Sequence, residues 1–125
     1  MLTVIYRQEV TQMPPLVEAK LWRQLRGAFG IDQLIEVPGD FPTVEEALEN
    51  APGRRVFLEP KGVHSLDAMP PDGDLVIVVG NTAENNLRLA RPDETYYIAT
   101  NGTENHNHLY GVNAAAIALA IRYGQ

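Results

Sequence analysis

Leu75-Val76-Ile77-Val78-Val79-Gly80 is the stretch on which the fold turns. It is an unbroken apolar run, mostly β-branched, too short for a helix and without the alternation of a strand that faces water. A run of this kind suits a strand covered on both faces, at the centre of a parallel sheet. Gly80, directly after it, either closes an ordinary turn or lets the backbone come close to a ligand, and both readings stand. Its position matters because open α/β sheets bind ligands beyond the carboxyl ends of their strands.

Working outward, residues 55–58 read as another strand, ended by the turn Pro60-Lys61-Gly62. Before it, Thr43 is placed to N-cap a helix reaching about Asn50, with Glu46 completing a capping box. Residues 34–37 form a strand stopped by Pro38-Gly39, and residues 2–6 form the first strand. Between those two, Pro14-Pro15 opens a helix. Its buried face carries Leu21, Trp22, Leu25, Ala28 and Phe29, and Gly30 ends it. Downstream of the central run, a short helix fits residues 85–89 and a strand fits residues 96–99. A polar loop over residues 100–108 then leads into an alanine-rich helix from about Gly111 to about Tyr123. This alternation predicts an α/β fold with a mainly parallel sheet and helices on both faces.

The chain has 125 residues, the length of one domain spanning 1–125. With 0 cysteines, a disulfide framework, a cysteine-based zinc site and thiol catalysis are all excluded. An apolar fraction of 45% against 21% charged residues fits a folded chain and not a disordered one. The net charge of −6 opposes broad, non-specific nucleic-acid binding but leaves room for a local basic patch. No apolar run approaches the ~20 residues of a membrane helix. Residues 1–6 lack a basic start and a cleavage site, so a cytoplasmic location without membrane attachment is expected.

Two further features invite chemistry. Lys20, Arg23 and Arg26 recur every third residue beside the apolar face of the first helix. They are either a solvated stripe or a small patch for anions and phosphate backbone. The loop over residues 100–108 is rich in hydrogen-bonding groups, as binding loops often are, although a solvated loop reads the same way. His106 and His108, with His64 distant in sequence, make no recognised ligand spacing, and no metal is expected.

Taken together, the segments resemble the SPOUT superfamily, α/β methyltransferases whose C-terminal chain forms a trefoil knot. They are most similar to the small members that methylate ribose 2′-hydroxyls in tRNA and rRNA. The likeness runs through residues 2–6, Pro14-Pro15, the helix end Gly27-Ala28-Phe29-Gly30-Ile31-Asp32, and Leu34-Ile35-Glu36-Val37-Pro38. It continues through Val76-Ile77-Val78-Val79-Gly80 and through Leu109, Asn113 and Ala114 at the start of the last helix. The family's first motif reads Asn-x-Gly-x-x-x-Arg. Counting back from Gly30 puts Gln24 at its arginine and Glu18 at its asparagine. Where the second motif has a glutamate and a later glycine, this chain has Thr82 and Asn85. In the third motif His108 and Tyr110 replace a serine and an asparagine.

The resemblance implies S-adenosylmethionine (AdoMet) held in the knot, against Gly80, Asn81, Ile98, Asn101, Gly102 and Leu109. It implies an RNA substrate, with Arg23, Tyr110 and Asn113 as candidate catalytic residues and Lys20 and Arg26 on phosphate. His106 or His108 is a candidate base. A homodimer is expected, because relatives pack their first and last helices together. Here Trp22 and Leu25 on the first helix, and Ala116, Leu119, Ala120 and Tyr123 on the last, would supply the apolar patch. The competing expectations are a non-catalytic protein of the same fold that binds or assembles, and an unknotted flavodoxin-like nucleotide binder.

Overall fold

The computed structural model describes residues 1–10, 13–100 and 109–124. In chain order, β1 (Leu2–Arg7) is followed by α1 (Pro15–Phe29), β2 (Gln33–Val37), α2 (Val44–Glu49), β3 (Arg54–Leu58) and β4 (His64–Ser65). Then come β5 (Leu75–Val79), β6 (Thr95–Tyr97) and α3 (Gly111–Tyr123). Short 3-10 turns occupy Leu66–Ala68, Leu87–Leu89 and Pro92–Glu94.

All six strands form one sheet in the order β2-β1-β5-β3-β6-β4, and every pair is parallel. The run that opened the sequence reading is β5, hydrogen-bonded between β1 and β3, with each of its five residues no more than 1% exposed. Its side chains alternate between two apolar layers. Leu75, Ile77 and Val79 join Val4, Tyr6, Val56 and Leu58 under α1 and α3. Val76 and Val78 join Ile5, Ile35 and Phe57 under α2. Helices therefore cover both faces, which is why β5 could be apolar at every position.

The helix ends follow their local signals. Pro15 is the first residue of α1, and Gly30 ends it at φ 67°, with its N–H on the Arg26 carbonyl at 3.0 Å. Thr43 caps α2 by accepting the Glu46 N–H at 3.2 Å. The strand expected over 96–99 is shifted to Thr95–Tyr97, and the helix over 85–89 shortens to a single 3-10 turn. Two-residue β4 carries too few side chains to show a period. It exists because Gly62 lies against the Tyr96 backbone, where a Cβ would sit 2.6 Å from the carbonyl carbon, and because Thr95 Oγ1 accepts the Val63 N–H at 3.0 Å.

α1 and α3 lie side by side on one face, and this changes the expected apolar patch. Trp22, 1% exposed, stacks on Tyr6 with centroids 4.3 Å apart, and Leu119 is equally enclosed. Both belong to the monomer core because α1 and α3 pack against each other on one face of the sheet. Ala28 is exposed instead of buried. What remains outside is Tyr123, 81% exposed and edge-on to Phe29, together with Leu16 and Val17 at the start of α1. Among the described residues no helix is long and apolar enough to cross a membrane.

Candidate functional site

Parallel strands end on the same side, so the turns after β3, β5 and β6 converge. They enclose a cavity of about 420 Å³, within the range of small-molecule sites. After β3 come Leu58-Glu59-Pro60-Lys61; after β5, residues 79–85 and Leu87; after β6, Ile98 and Thr100. The remaining wall is the start of α3, with Leu109, Gly111 and Ala114.

Two glycines shape this wall by close approach and not by unusual φ. A Cβ on Gly80 would overlap the Glu84 carbonyl oxygen and lie 3.2 Å from the Asn85 Cα. A Cβ on Gly111 would lie 2.8 Å from the Gly80 carbonyl oxygen and 3.1 Å from Val79 Cγ2. The missing side chains let α3 seat on the end of β5, and the loop after β5 fold back on itself. A larger residue at Gly80 would therefore act by displacing the loop, in addition to filling the pocket.

Asn81 holds that loop. Its Oδ1 accepts the N–H groups of Ala83 at 2.9 Å and Glu84 at 2.7 Å, and its Nδ2 donates to the Gln8 carbonyl at 2.8 Å. A second clamp comes from the segment after β1. The buried Glu9 carboxylate accepts from Thr82 Oγ1 at 2.7 Å and from the Thr82 N–H at 3.0 Å. Glu9 is held in turn by Glu18, whose carboxylate accepts the Glu9 N–H at 3.1 Å. Two of the positions that depart from the motifs of the resemblance, Glu18 and Thr82, are thus joined through one residue.

A third group lies beneath the cavity. Arg7, at the end of β1, donates from Nε to Asn86 Oδ1 at 2.8 Å and pairs with Glu84 at 3.4 Å. Glu59, only 4% exposed, accepts the Asn86 N–H at 2.8 Å. Asn86 is fully buried, and its Nδ2 has no partner among the described residues.

Burial pushes the Glu18 carboxyl above the ordinary glutamate range. The Glu9 N–H opposes this, and the nearby Glu9 charge adds to it. The Trp22 indole N–H is close enough to favour the Glu18 carboxylate but does not reach hydrogen-bond geometry. Burial likewise raises Glu59, against the Asn86 N–H and the Arg7 charge. It raises Tyr6 too, with Glu36 adding to the effect, so the phenol stays protonated and donates to Glu36 at 3.2 Å.

A glutamate raised in the native state keeps a proton that the unfolded chain has already released. Stability is then lost as pH rises from the ordinary glutamate range through the raised value. Glu18→Gln keeps an oxygen for the Glu9 N–H and removes one such group. Between about pH 5 and about pH 8 the variant should lose less stability than the wild type. Urea unfolding at both pH values measures this; equal losses would show that Glu18 does not titrate in that window.

The structure brings Gly80, Asn81, Ile98 and Leu109 together at the cavity. Asn101, Gly102, His106 and His108 lie outside the described residues. Arg23, Lys20 and Arg26 do not line the cavity; all three are exposed on α1, and Arg26 Nη2 reaches the Asp32 carbonyl at 3.3 Å. Gln24 is exposed on the same helix. Asn113 is exposed on α3, and Tyr110 is half-buried against the core at the helix start. Sequence reasoning missed Glu59, Lys61 and Gly111. The rule that singled out Gly80, a polar break directly after an apolar strand, applies equally to Glu59.

Fold and cavity together define an all-parallel α/β protein with a cavity at the strand carboxyl ends, where folds of this kind bind ligands. No family model matches the sequence, and no curated protein matches it. The fold is nevertheless shared with solved structures. A candidate RNA methyltransferase from Bacillus anthracis superposes with a TM-score of 0.69 at 16% identity, over 99% of this chain and 93% of that one. The SpoU methyltransferase AviRb from Streptomyces viridochromogenes, solved in complex with AdoMet, superposes with a TM-score of 0.62 at 16% identity. There the match covers 99% of this chain and 60% of AviRb, so this chain spans less than two thirds of that protein. The chain shares its fold with these methyltransferase structures.

Proposed function

We propose that the protein is an AdoMet-dependent methyltransferase acting on RNA, with a ribose 2′-hydroxyl as the acceptor. The observation that carries this reading is the cavity framed by Gly80 and Gly111 at the ends of β3, β5 and β6, in a fold shared along 99% of the chain with a protein solved with AdoMet. The residues present fit the cofactor. The cavity is large enough, Leu58, Leu87, Ile98, Leu109 and Ala114 supply apolar walls, and the turns after β5 and β6 bring backbone groups to its rim. Such groups can read the hydrogen-bonding edge of adenine. Bound there, AdoMet supplies an electrophilic methyl group.

The protein's part is to hold and orient both reactants. Asn81, Glu9 and Thr82 fix the loop after β5, so its backbone is organised before a ligand arrives. In this reading the C-terminal chain forms a trefoil knot. The acceptor strand meets Lys20, Arg23 and Arg26 from a second subunit. Their exposure on α1, away from the cavity of their own subunit, supports a homodimer in which one protomer completes the site of the other, with Tyr123 and Phe29 at the contact.

The same exposure favours a second reading. With Gln24 at the motif's arginine and no basic residue of α1 at the cavity, the protein would bind an adenosyl ligand without transferring its methyl group. Calorimetric titration with AdoMet should give saturable binding, and labelled methyl should pass to RNA at a dimer concentration set by sedimentation. No binding at high micromolar ligand removes the enzyme. Binding without transfer selects the second reading, and a stable monomer removes the shared site.

A further inference from the structure

Glu59 is a buried carboxylate in the cavity wall. It sits directly after β3, is 4% exposed, and lines the cavity beside Leu58. One carboxylate oxygen accepts the Asn86 N–H at 2.8 Å. Among the described residues the other accepts no hydrogen bond, yet it is not among the sealed polar atoms that lack a partner. Glu59 lines the cavity, so a ligand seated there lies against this residue. A buried carboxylate is costly unless a cation or several donors meet it.

Among the described residues no cation pairs with it directly. Arg7 lowers the proton affinity of Glu59 at a distance, but its guanidinium is committed to Asn86 Oδ1 at 2.8 Å and to Glu84 at 3.4 Å. Lys61 shares the cavity but is exposed and forms no ion pair with Glu59. Burial consequently outweighs both favourable contacts and keeps the carboxyl above its ordinary range. Among the described residues, the carboxyl has the Arg7 charge only at a distance and no ion-pair partner of its own.

We infer that Glu59 is a specificity-determining residue that recognises a cationic centre of the bound ligand. The inference rests on the AdoMet reading above, and it supplies a reason for the cofactor to be held in its charged form. AdoMet offers two cationic centres, the sulfonium and the α-ammonium. S-adenosylhomocysteine keeps only the ammonium, and 5′-methylthioadenosine has neither. A ligand cation beside Glu59 gains a charge-assisted contact in a low-dielectric wall. A neutral ligand gains none and leaves the carboxylate uncompensated.

The test is calorimetric binding of these three ligands to the wild type and to Glu59→Gln. The glutamine side chain keeps an oxygen for the Asn86 N–H, and binding of 5′-methylthioadenosine reports whether the pocket is intact. AdoMet affinity should fall about ten- to hundredfold in the variant, while 5′-methylthioadenosine changes by less than about twofold. A loss confined to AdoMet assigns the contact to the sulfonium. A loss shared with S-adenosylhomocysteine assigns it to the ammonium. Equal changes for all three ligands, or no change, overturn the inference and leave Glu59 as an anchor for Asn86. If the wild type binds none of the three, the inference falls together with the function on which it rests.

Discussion

Gly111→Ala should weaken AdoMet binding by about tenfold or more and destabilise the fold by about 1–3 kcal/mol. Two effects oppose each other at this position. Alanine is the better helix former, by up to about 1 kcal/mol in a helix interior. Gly111, however, is the first residue of α3, where that gain is at its smallest. Against it stands a Cβ placed 2.8 Å from the Gly80 carbonyl oxygen and 3.1 Å from Val79 Cγ2. One obstacle is backbone and the other a branched side chain on the fully buried β5, so neither yields easily. The start of α3 must lift from the strand end. Gly80, Gly111 and Ala114 all line the cavity, so the lift reshapes the site while the rest of the sheet stays paired. Calorimetry with AdoMet and urea unfolding measure the two effects separately. A variant as stable as the wild type, with unchanged affinity, would show that α3 does not form the cavity wall.

Trp22→Ala should cost about 3–5 kcal/mol of stability, the largest loss expected from any single truncation in this chain. Trp22 is the largest fully buried side chain, and its ring stacks on Tyr6 at 4.3 Å with an interplanar angle of 19°. Truncation leaves a void beneath α1 and strips Tyr6 of its cover, which also loosens the β1 end from which Arg7 reaches toward Glu84 and Asn86. The indole N–H has no hydrogen-bond partner among the described residues, so the residue acts through its volume and stacking. Trp22→Phe, which removes that donor and keeps an aromatic ring, should lose well under half as much. Equilibrium urea unfolding of both variants tests this. A Trp22→Ala loss below about 1 kcal/mol would place Trp22 at a yielding surface, as a dimer patch would require, and not in the core.

The difference between patch and core was not legible in the sequence. Helical spacing gives the apolar face of α1, but it does not say whether that face meets the sheet, a second subunit or both. Trp22 and Leu119 are buried because α1 and α3 share one face of the sheet, a fact of topology that no spacing encodes. The cavity shows the same boundary. Gly80 was visible as a glycine directly after an apolar strand, and Ile98 and Leu109 came from motif order. Gly111 looked like an ordinary helix residue, because the atoms that forbid its side chain lie on Val79 and Gly80, far away in sequence.

By itself the sequence determined what is settled between near neighbours. Thr43 caps a helix because its oxygen meets an N–H three residues on, and Gly30 ends one because it alone accepts the left-handed turn cheaply. Residues 75–79 form a central strand because an unbroken β-branched run has no polar face to give to water. Only the tertiary structure decided the chemistry. Glu59 meets Asn86 across 27 positions, Glu9 meets Thr82 across 73, and Arg7 meets Asn86 across 79. The energy of a buried charge depends on which groups surround it and how far water is excluded, and those neighbours are assembled by strand order, which local pattern does not contain.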